Sequence, residues 1–239
     1  MSRVGVVLRR VVIGLGALLI LLLLVGIGGA FWLRGQIAAS LPVLEGELAL
    51  PGLTAAVKVE HDTLGVPTIT ACTRVDLSRA IGFLHAQNRF FQMDIMRREA
   101  AGELSELLGS ALLARDRTNR IHGFRDLAGR VLAATPADHR AMVEAYTEGV
   151  NAGLAALGAS PFEYLALRTD PEPWVAEDSV LAILSMFLAL NDDQATRDAT
   201  LGVMHETLPG PLFEFLATRG TEWDAPITGD VIPMPPVPG

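Results

Sequence analysis

Cysteine, lysine and tyrosine are scarce in this 239-residue chain. Cys72 is the only cysteine, which excludes an intrachain disulfide and any zinc site built on several thiolates. A lone free cysteine is usually a small buried apolar residue, and burial is the expectation for Cys72. Lys58 is the only lysine, and the formal charge is −8. So acidic a chain lacks the concentrated basic face that a phosphate backbone requires, which argues against a nucleic-acid partner. Self-contained catalytic signatures are missing as well. There is no G-x-S-x-G, no H-E-x-x-H, no P-loop and no dinucleotide fingerprint. The five histidines (His61, His85, His122, His139 and His205) fall at no metal-ligand spacing, and each is expected to be a surface or hydrogen-bonded structural residue.

Apolar residues are plentiful: they make up 50% of the chain, enough to bury a sizeable core. The longest uncharged run is Val11 to Leu33, preceded by Arg3, Arg9 and Arg10 and closed by Arg34. Its length suits a helix crossing a hydrocarbon core. It is longer than the apolar stretch of most cleaved signal peptides. The basic cluster predicts a cytoplasmic segment over 1–10, a membrane anchor over 11–33, and everything beyond it outside the cytoplasm, periplasmic or extracellular. Phe31 and Trp32 fall at the outer interface. A cleaved secretory signal ending near Ala38, Ala39 and Ser40 is the rival reading. Both readings export the rest of the chain.

Residues 34–53 read as a tether into a domain over 54–225. Val57 and Val59 alternate with Lys58 and Glu60, the period of a half-buried strand. Gly65 and Pro67 mark a turn, and Thr68–Ala71 reads as the returning strand of a hairpin. A long helix follows, with Asp76 or Ser78 as its N-cap and an apolar face through Ile81, Leu84, Phe91 and Ile95. Gly102 is a candidate break and Gly109 a C-terminal cap. Arg89, Asp94, Arg97, Arg98, Glu99 and Glu103 suggest exposed helix-face ion pairs of little energetic weight. Thr135 and Pro136 open another helix, capped by the threonine and running to about Leu157. A third is expected over Ala176–Leu190, apolar on most faces and therefore buried. Shorter helices fit 196–208 and 211–218. From Pro226 the proline-rich stretch 226–239 reads as an extended linker, and a chain ending there is expected to continue. Asn191-Asp-Asp193 with Asp198 forms the densest carboxylate group, and it suits either a hard cation such as calcium or a solvated helix end.

Several blocks, in order, resemble the N-terminal portion of the penicillin acylase family of N-terminal nucleophile hydrolases. The first is Val57–Ala71. The second and most specific runs through Ala80-Ile-Gly-Phe-Leu-His-Ala-Gln-Asn-Arg-Phe-Phe-Gln-Met-Asp94, Arg97-Arg98 and Ala101–Gly109. The third is Ala145–Ala152, and the fourth is Pro171-Glu-Pro-Trp174 with Glu177-Asp178-Ser179. The resemblance implies an α+β fold, mostly helical in this fragment, contributing to an αββα core behind one transmembrane helix. It implies a precursor that cuts itself, so that a serine begins a separate β-chain and acts as nucleophile with its own α-amino group as base. On that implication this chain holds no catalytic residue and is inactive alone, with the β-chain as its partner. The positions matching the family's acyl pocket are Phe187, Leu190 and Asn191. The substrate would be a small N-acyl compound with a linear amide: a β-lactam side chain, an N-acyl-homoserine lactone or another N-acyl group. A structural calcium is implied mostly on the β-chain. The family's glutamate ligand from this half falls on Arg197, leaving Asp198 as the candidate, and Asn88 stands where the family usually has aspartate. From the residues alone, a membrane-tethered binding or scaffold domain without chemistry stays open.

Overall fold

The computed structural model describes residues 3–191, 195–218, 220, 221, 224 and 226–238. The elements in order are α1 (Arg3–Ala39), β1 (Lys58–His61), β2 (Pro67–Thr70), α2 (Arg74–Ala101), α3 (Leu104–Leu108), α4 (Leu113–Arg120), α5 (Phe124–Ala134), α6 (Ala137–Ala155), α7 (Phe162–Leu167), α8 (Ala176–Leu190), α9 (Thr196–Thr207) and α10 (Gly210–Leu216). Two compact units divide the chain, 1–186 and 187–239. The division falls inside α8 and so inside the domain expected over 54–225.

The hairpin forms as its pattern predicts. β1 and β2 pair antiparallel with Val59 opposite Ile69. The turn is organised by Asp62, whose Oδ1 accepts from the Leu64 and Val66 N–H groups, both at 2.8 Å. Gly65 takes the positive φ of 77° that an L side chain resists. Cys72 lies in the short turn between β2 and α2 and is exposed, against the expectation of burial. A turn this brief has no second layer to cover it.

The N-cap of α2 is Thr73, not Asp76 or Ser78. Its hydroxyl accepts the Asp76 N–H at 3.0 Å, closing the first turn. Asp76 is thereby freed to reach outward, and its two oxygens accept the Thr54 N–H at 2.9 Å and the Thr54 hydroxyl at 2.5 Å. The end of the tether is thus tied to the start of α2. Arg89 leaves helical geometry (φ −155°, ψ 34°) and kinks α2. Gly102, at φ 70°, caps the helix in the left-handed conformation, so the suspected break lies there. The start of α6 also differs from expectation. Pro136 is its N-cap, while the Thr135 hydroxyl turns back to donate to Val131 at 2.8 Å and closes α5.

Helices α2 and α6 cross closely because three glycines face the contact. A Cβ on Gly82 would strike the Tyr146 carbonyl, one on Gly149 the Arg79 carbonyl, and one on Gly153 the Phe83 carbonyl. Around this crossing sits a core of Ala86, Phe90, Met93, Val150, Tyr164 and Trp174. The inward face of α2 is therefore Ala80, Phe83, Ala86 and Phe90, one position away from the face predicted through Ile81 and Leu84.

The charged residues of α2 are not surface pairs. Asp94, Arg97 and Arg98 are all at least 95% buried. Asp94 Oδ1 accepts from Arg97 Nε at 2.7 Å and Arg98 Nε at 2.8 Å, and Oδ2 accepts the Tyr164 hydroxyl at 2.7 Å. Arg97 also donates to Asp178 at 2.5 Å and to the Pro173 and Glu172 carbonyls at 2.9 and 3.1 Å, and it lies over the Trp174 ring. Burial, and then the Asp94 carboxylate, push the Tyr164 hydroxyl far above the usual phenol range, so it stays a donor.

Three predictions follow from these contacts. Asp178→Asn leaves two guanidinium groups short of a counter-charge and is expected to lower stability by about 3–5 kcal/mol in urea unfolding of the full chain in detergent. Gly149→Ala, which overlaps the Arg79 backbone, is expected to cost about 1–3 kcal/mol. Gly129→Ala meets nothing within 4 Å and serves as a neutral or slightly stabilising control. Acid also acts here. The Thr54 hydroxyl and N–H hold the Asp76 carboxyl below its usual 3.8. Burial raises Asp116, but hydrogen bonds from Ser105 and the Leu104 N–H outweigh it and leave that carboxyl lowered as well. A lowered folded-state value stabilises above about pH 4 and loses that contribution as pH falls further. Asp76→Asn is therefore expected to flatten the urea midpoint against pH below about 4, with the effect measured by circular dichroism.

Candidate functional site

α8 begins where the buried charges end. Asp178, in its first turn, accepts the Val175 N–H at 2.9 Å, Arg97 at 2.5 Å and Arg125 at 2.9 Å. Ser179 Oγ accepts the Trp174 indole N–H at 3.1 Å. Trp174 is itself held by Asn151, which donates to its carbonyl at 2.9 Å and accepts its N–H at 2.8 Å. The Pro171–Trp174 turn and the first turn of α8 are thus fixed by side chains of α2, α5 and α6.

Farther along, α8 inverts the usual pattern of burial. It buries Asp178, Leu181 and Ser185, yet exposes Ile183 (68%), Met186 (56%), Phe187 (49%) and Leu190 (78%). The exposed set follows i, i+3, i+4, i+7, a single stripe along one helix face. The expectation that α8 is buried on most faces is thereby corrected: its buried face carries a carboxylate and a hydroxyl, and its largest apolar side chains face outward. Phe187 and Leu190 of the expected pocket lie on this stripe. Asn191 folds back, its Nδ2 donating to the Phe187 carbonyl at 2.7 Å, and so ends the helix. Ile183 and Met186 belong to the same stripe and were not among the expected site residues.

Asp198 stands exposed in the first turn of α9, where the helix dipole favours a carboxylate. Asp192 and Asp193, its partners in the carboxylate group, lie outside the described residues. Among the described residues no group of three or more His, Cys, Asp or Glu could hold a metal ion. His85 pairs with the Tyr146 hydroxyl at 3.0 Å, and partial desolvation of the ring, then Arg89, lower its pKa below the usual 6.5. It is a hydrogen-bonded structural histidine, as the sequence led us to expect.

A cavity of about 430 Å³ lies in the first unit under the tether. Leu44, Leu48, Leu53, Phe83, Leu84 and Gln87 are among the residues that line it. The Gln87 side-chain oxygen is buried with no hydrogen-bond partner among the described residues. Glu45, Glu47 and His61 line it too, so its wall is mixed polar and apolar, with no serine, threonine or cysteine among the lining residues to act as a nucleophile.

Residues 56–216 match the penicillin amidase family. The penicillin acylase 2 proenzyme of Pseudomonas sp. strain SE83 is 40% identical over 157 residues, 66% of this chain and 20% of that protein. Acyl-homoserine lactone acylase QuiP of Pseudomonas aeruginosa is 34% identical over 183 residues, 74% of this chain and 22% of that protein. The chain therefore spans about a fifth of the length of these relatives. In structure it resembles a thermostable penicillin G acylase from Alcaligenes faecalis with a TM-score of 0.55, at 24% identity, covering 77% of this chain and 98% of the matched one. The chain belongs to the penicillin amidase family.

Proposed function

We propose that this chain is the N-terminal, α-chain part of an acylase that hydrolyses a linear amide, and that its reactive serine is the first residue of a β-chain cut from the same precursor. The exposed stripe on α8 carries this reading. A helix that buries Asp178 and Ser185 while exposing Ile183, Met186 and Leu190 is arranged to be covered by another surface. In the proposed enzyme that surface is the β-chain, and Phe187 and Leu190 line the acyl pocket between them. Membership of the family and the proenzyme relative support the precursor; the α+β elements here would join the β-chain in an αββα N-terminal nucleophile hydrolase core.

The chemistry asked of this half is binding. An acyl group seated on Phe187 and Leu190 leaves water and positions the amide carbonyl, while the serine hydroxyl and its own α-amino group carry out acyl transfer elsewhere. The substrate is a small N-acyl compound such as a β-lactam side-chain amide or an N-acyl-homoserine lactone. A structural calcium, if the β-chain supplies most ligands, would draw at most Asp198 from this half. The N-terminal run anchors the enzyme with its domain outside the cytoplasm.

The full precursor with its proposed β-chain serine changed to alanine is expected to lose both self-cleavage and amide hydrolysis; survival of both would sink the mechanism. In the wild-type precursor, Leu190→Ser is expected to raise KM for an acyl substrate by about one to two orders of magnitude with little change in kcat, because one buried leucine contributes roughly 1.5–3 kcal/mol of binding. An unchanged KM would remove Leu190 from the pocket.

A further inference from the structure

Helix α1 does not stop where its apolar run ends. It continues without a break through Arg34 to Ala39 and there meets the folded domain. The Ala39 carbonyl, one of those left without a partner at a helix end, accepts the Gly158 N–H at 3.0 Å. Gly158 approaches so closely that a Cβ there would sit 3.2 Å from the same oxygen. Ser40 is 9% exposed, and its hydroxyl donates to Ile37 at 2.9 Å, closing the last turn. The stretch expected to be a loose tether from residue 34 is therefore rigid for its first six residues and bonded to the turn after α6.

Length then fixes the height of the domain above a bilayer. The uncharged run holds 23 residues, Val11 to Leu33. At about 1.5 Å per residue it spans roughly 35 Å, enough for a hydrocarbon core of about 30 Å. Phe31 and Trp32, 71% and 58% exposed, then fall at the outer interface, where aromatic rings are favoured. From Arg34 to Ala39 the helix rises only about 8 Å, close to the thickness of one headgroup layer. Nothing in this span is slack. The turn at Gly158 therefore lies within about one headgroup layer of the end of the apolar run, and Leu41, Val43, Leu44 and Phe162, which follow Ser40 or Gly158 within four residues, are 55–62% exposed.

We propose that α1 is a retained, rigid stalk fastened at Ala39 and Gly158, and that it holds an apolar collar of Leu41, Val43, Leu44 and Phe162 in the outer headgroup layer of a lipid bilayer. The proposal rests on the reading of α1 as an anchor and goes beyond it by fixing which face of the domain touches lipid. The collar lacks basic side chains, and Glu45 and Glu47 follow it, so the contact is apolar and independent of anionic lipid.

The test uses the full chain with Cys72→Ser, reconstituted in phosphatidylcholine vesicles, and an environment-sensitive probe on Phe31→Cys, Leu44→Cys or Phe162→Cys in turn. Lipid spin-labelled at the headgroup is expected to quench all three probes. A Gly-Ser spacer of about ten residues inserted after Arg34, with a reach of roughly 17 Å, is expected to reduce quenching at 44 and 162 several-fold and leave 31 quenched. Quenching at 31 without quenching at 44 and 162 would overturn the stalk and leave the anchor standing. A mature chain that begins near Leu41, read by N-terminal sequencing from the producing cell, would remove both. Quenching at 44 and 162 unaffected by the spacer would show that the collar binds lipid by itself, and that would overturn the rigid stalk.

Discussion

The fold depends on a carboxylate buried against two guanidinium groups. Asp94 is wholly inaccessible, and three donors satisfy it: Arg97, Arg98 and the Tyr164 hydroxyl. Removing such ions from water costs several kcal/mol each, and their attraction recovers this only when every donor and acceptor is matched. Here they are matched across distant parts of the chain. Arg97 spends its remaining donors on Asp178 and on the carbonyls of Glu172 and Pro173, while Arg98 reaches the Glu172 carboxylate at 2.7 Å. A displaced α8 or an unformed Pro171–Trp174 turn would leave buried guanidinium donors unmatched beyond the Asp94 contact, so the network selects one arrangement and penalises its neighbours. Its value lies in that specificity; a hydrophobic replacement of equal volume could be as stable.

The glycine crossing supplies the other half of the constraint. With Gly82, Gly149 and Gly153 at the contact, the α2 and α6 backbones approach closely enough for Phe83, Ala86 and Val150 to be buried. Asn151, one residue past Val150, then lies where it can grip both backbone groups of Trp174. Close helix packing on one side and charge pairing on the other thus converge on the same indole, 2% exposed, with Arg97 5.2 Å from its ring centroid. The second, third and fourth sequence blocks that resemble the family are these contacts seen along the chain. Arg97-Arg98, Asn151, the Pro171–Trp174 turn and Asp178 are one cluster in space.

What could be read from the sequence follows from how local each signal is. The bounds of α8, and the short helices α9 and α10, were legible because apolar spacing and flanking prolines act within a few residues. The hairpin was legible for the same reason, with Gly65 at the turn. The N-cap of α2 is ambiguous in sequence because Asp76 is as good a cap as Thr73 in isolation; the Thr73 hydroxyl and Thr54, 22 residues earlier, together engage its carboxylate. The buried ion network looked like surface pairing because i, i+3 and i, i+4 charges have the same spacing in either setting, and the deciding partners are 70 and 81 residues distant in Tyr164 and Asp178. The candidate site was legible only as a resemblance, which points to Phe187 and Leu190; the stripe they share with Ile183 and Met186 was not, because the buried face of α8 also carries Leu181 and its polar residues, Asp178 and Ser185, stand seven positions apart.

The two kinds of surface differ in when they must be satisfied. Every ion pair of the Asp94 and Asp178 cluster lies within residues 94–178, so no contact from outside the chain is needed to neutralise it. That is required of any buried charge, since an unpaired one would unfold the region before a partner arrived. An exposed apolar stripe carries no such urgency. Ile183, Met186 and Leu190 in water forgo a gain without creating a buried unmatched group, at the risk of association. On the proposed reading, a precursor that cuts itself gains from this separation. The polar scaffold holds α8 in register through the cleavage, and the apolar face remains available to the β-chain and the acyl group that complete the site.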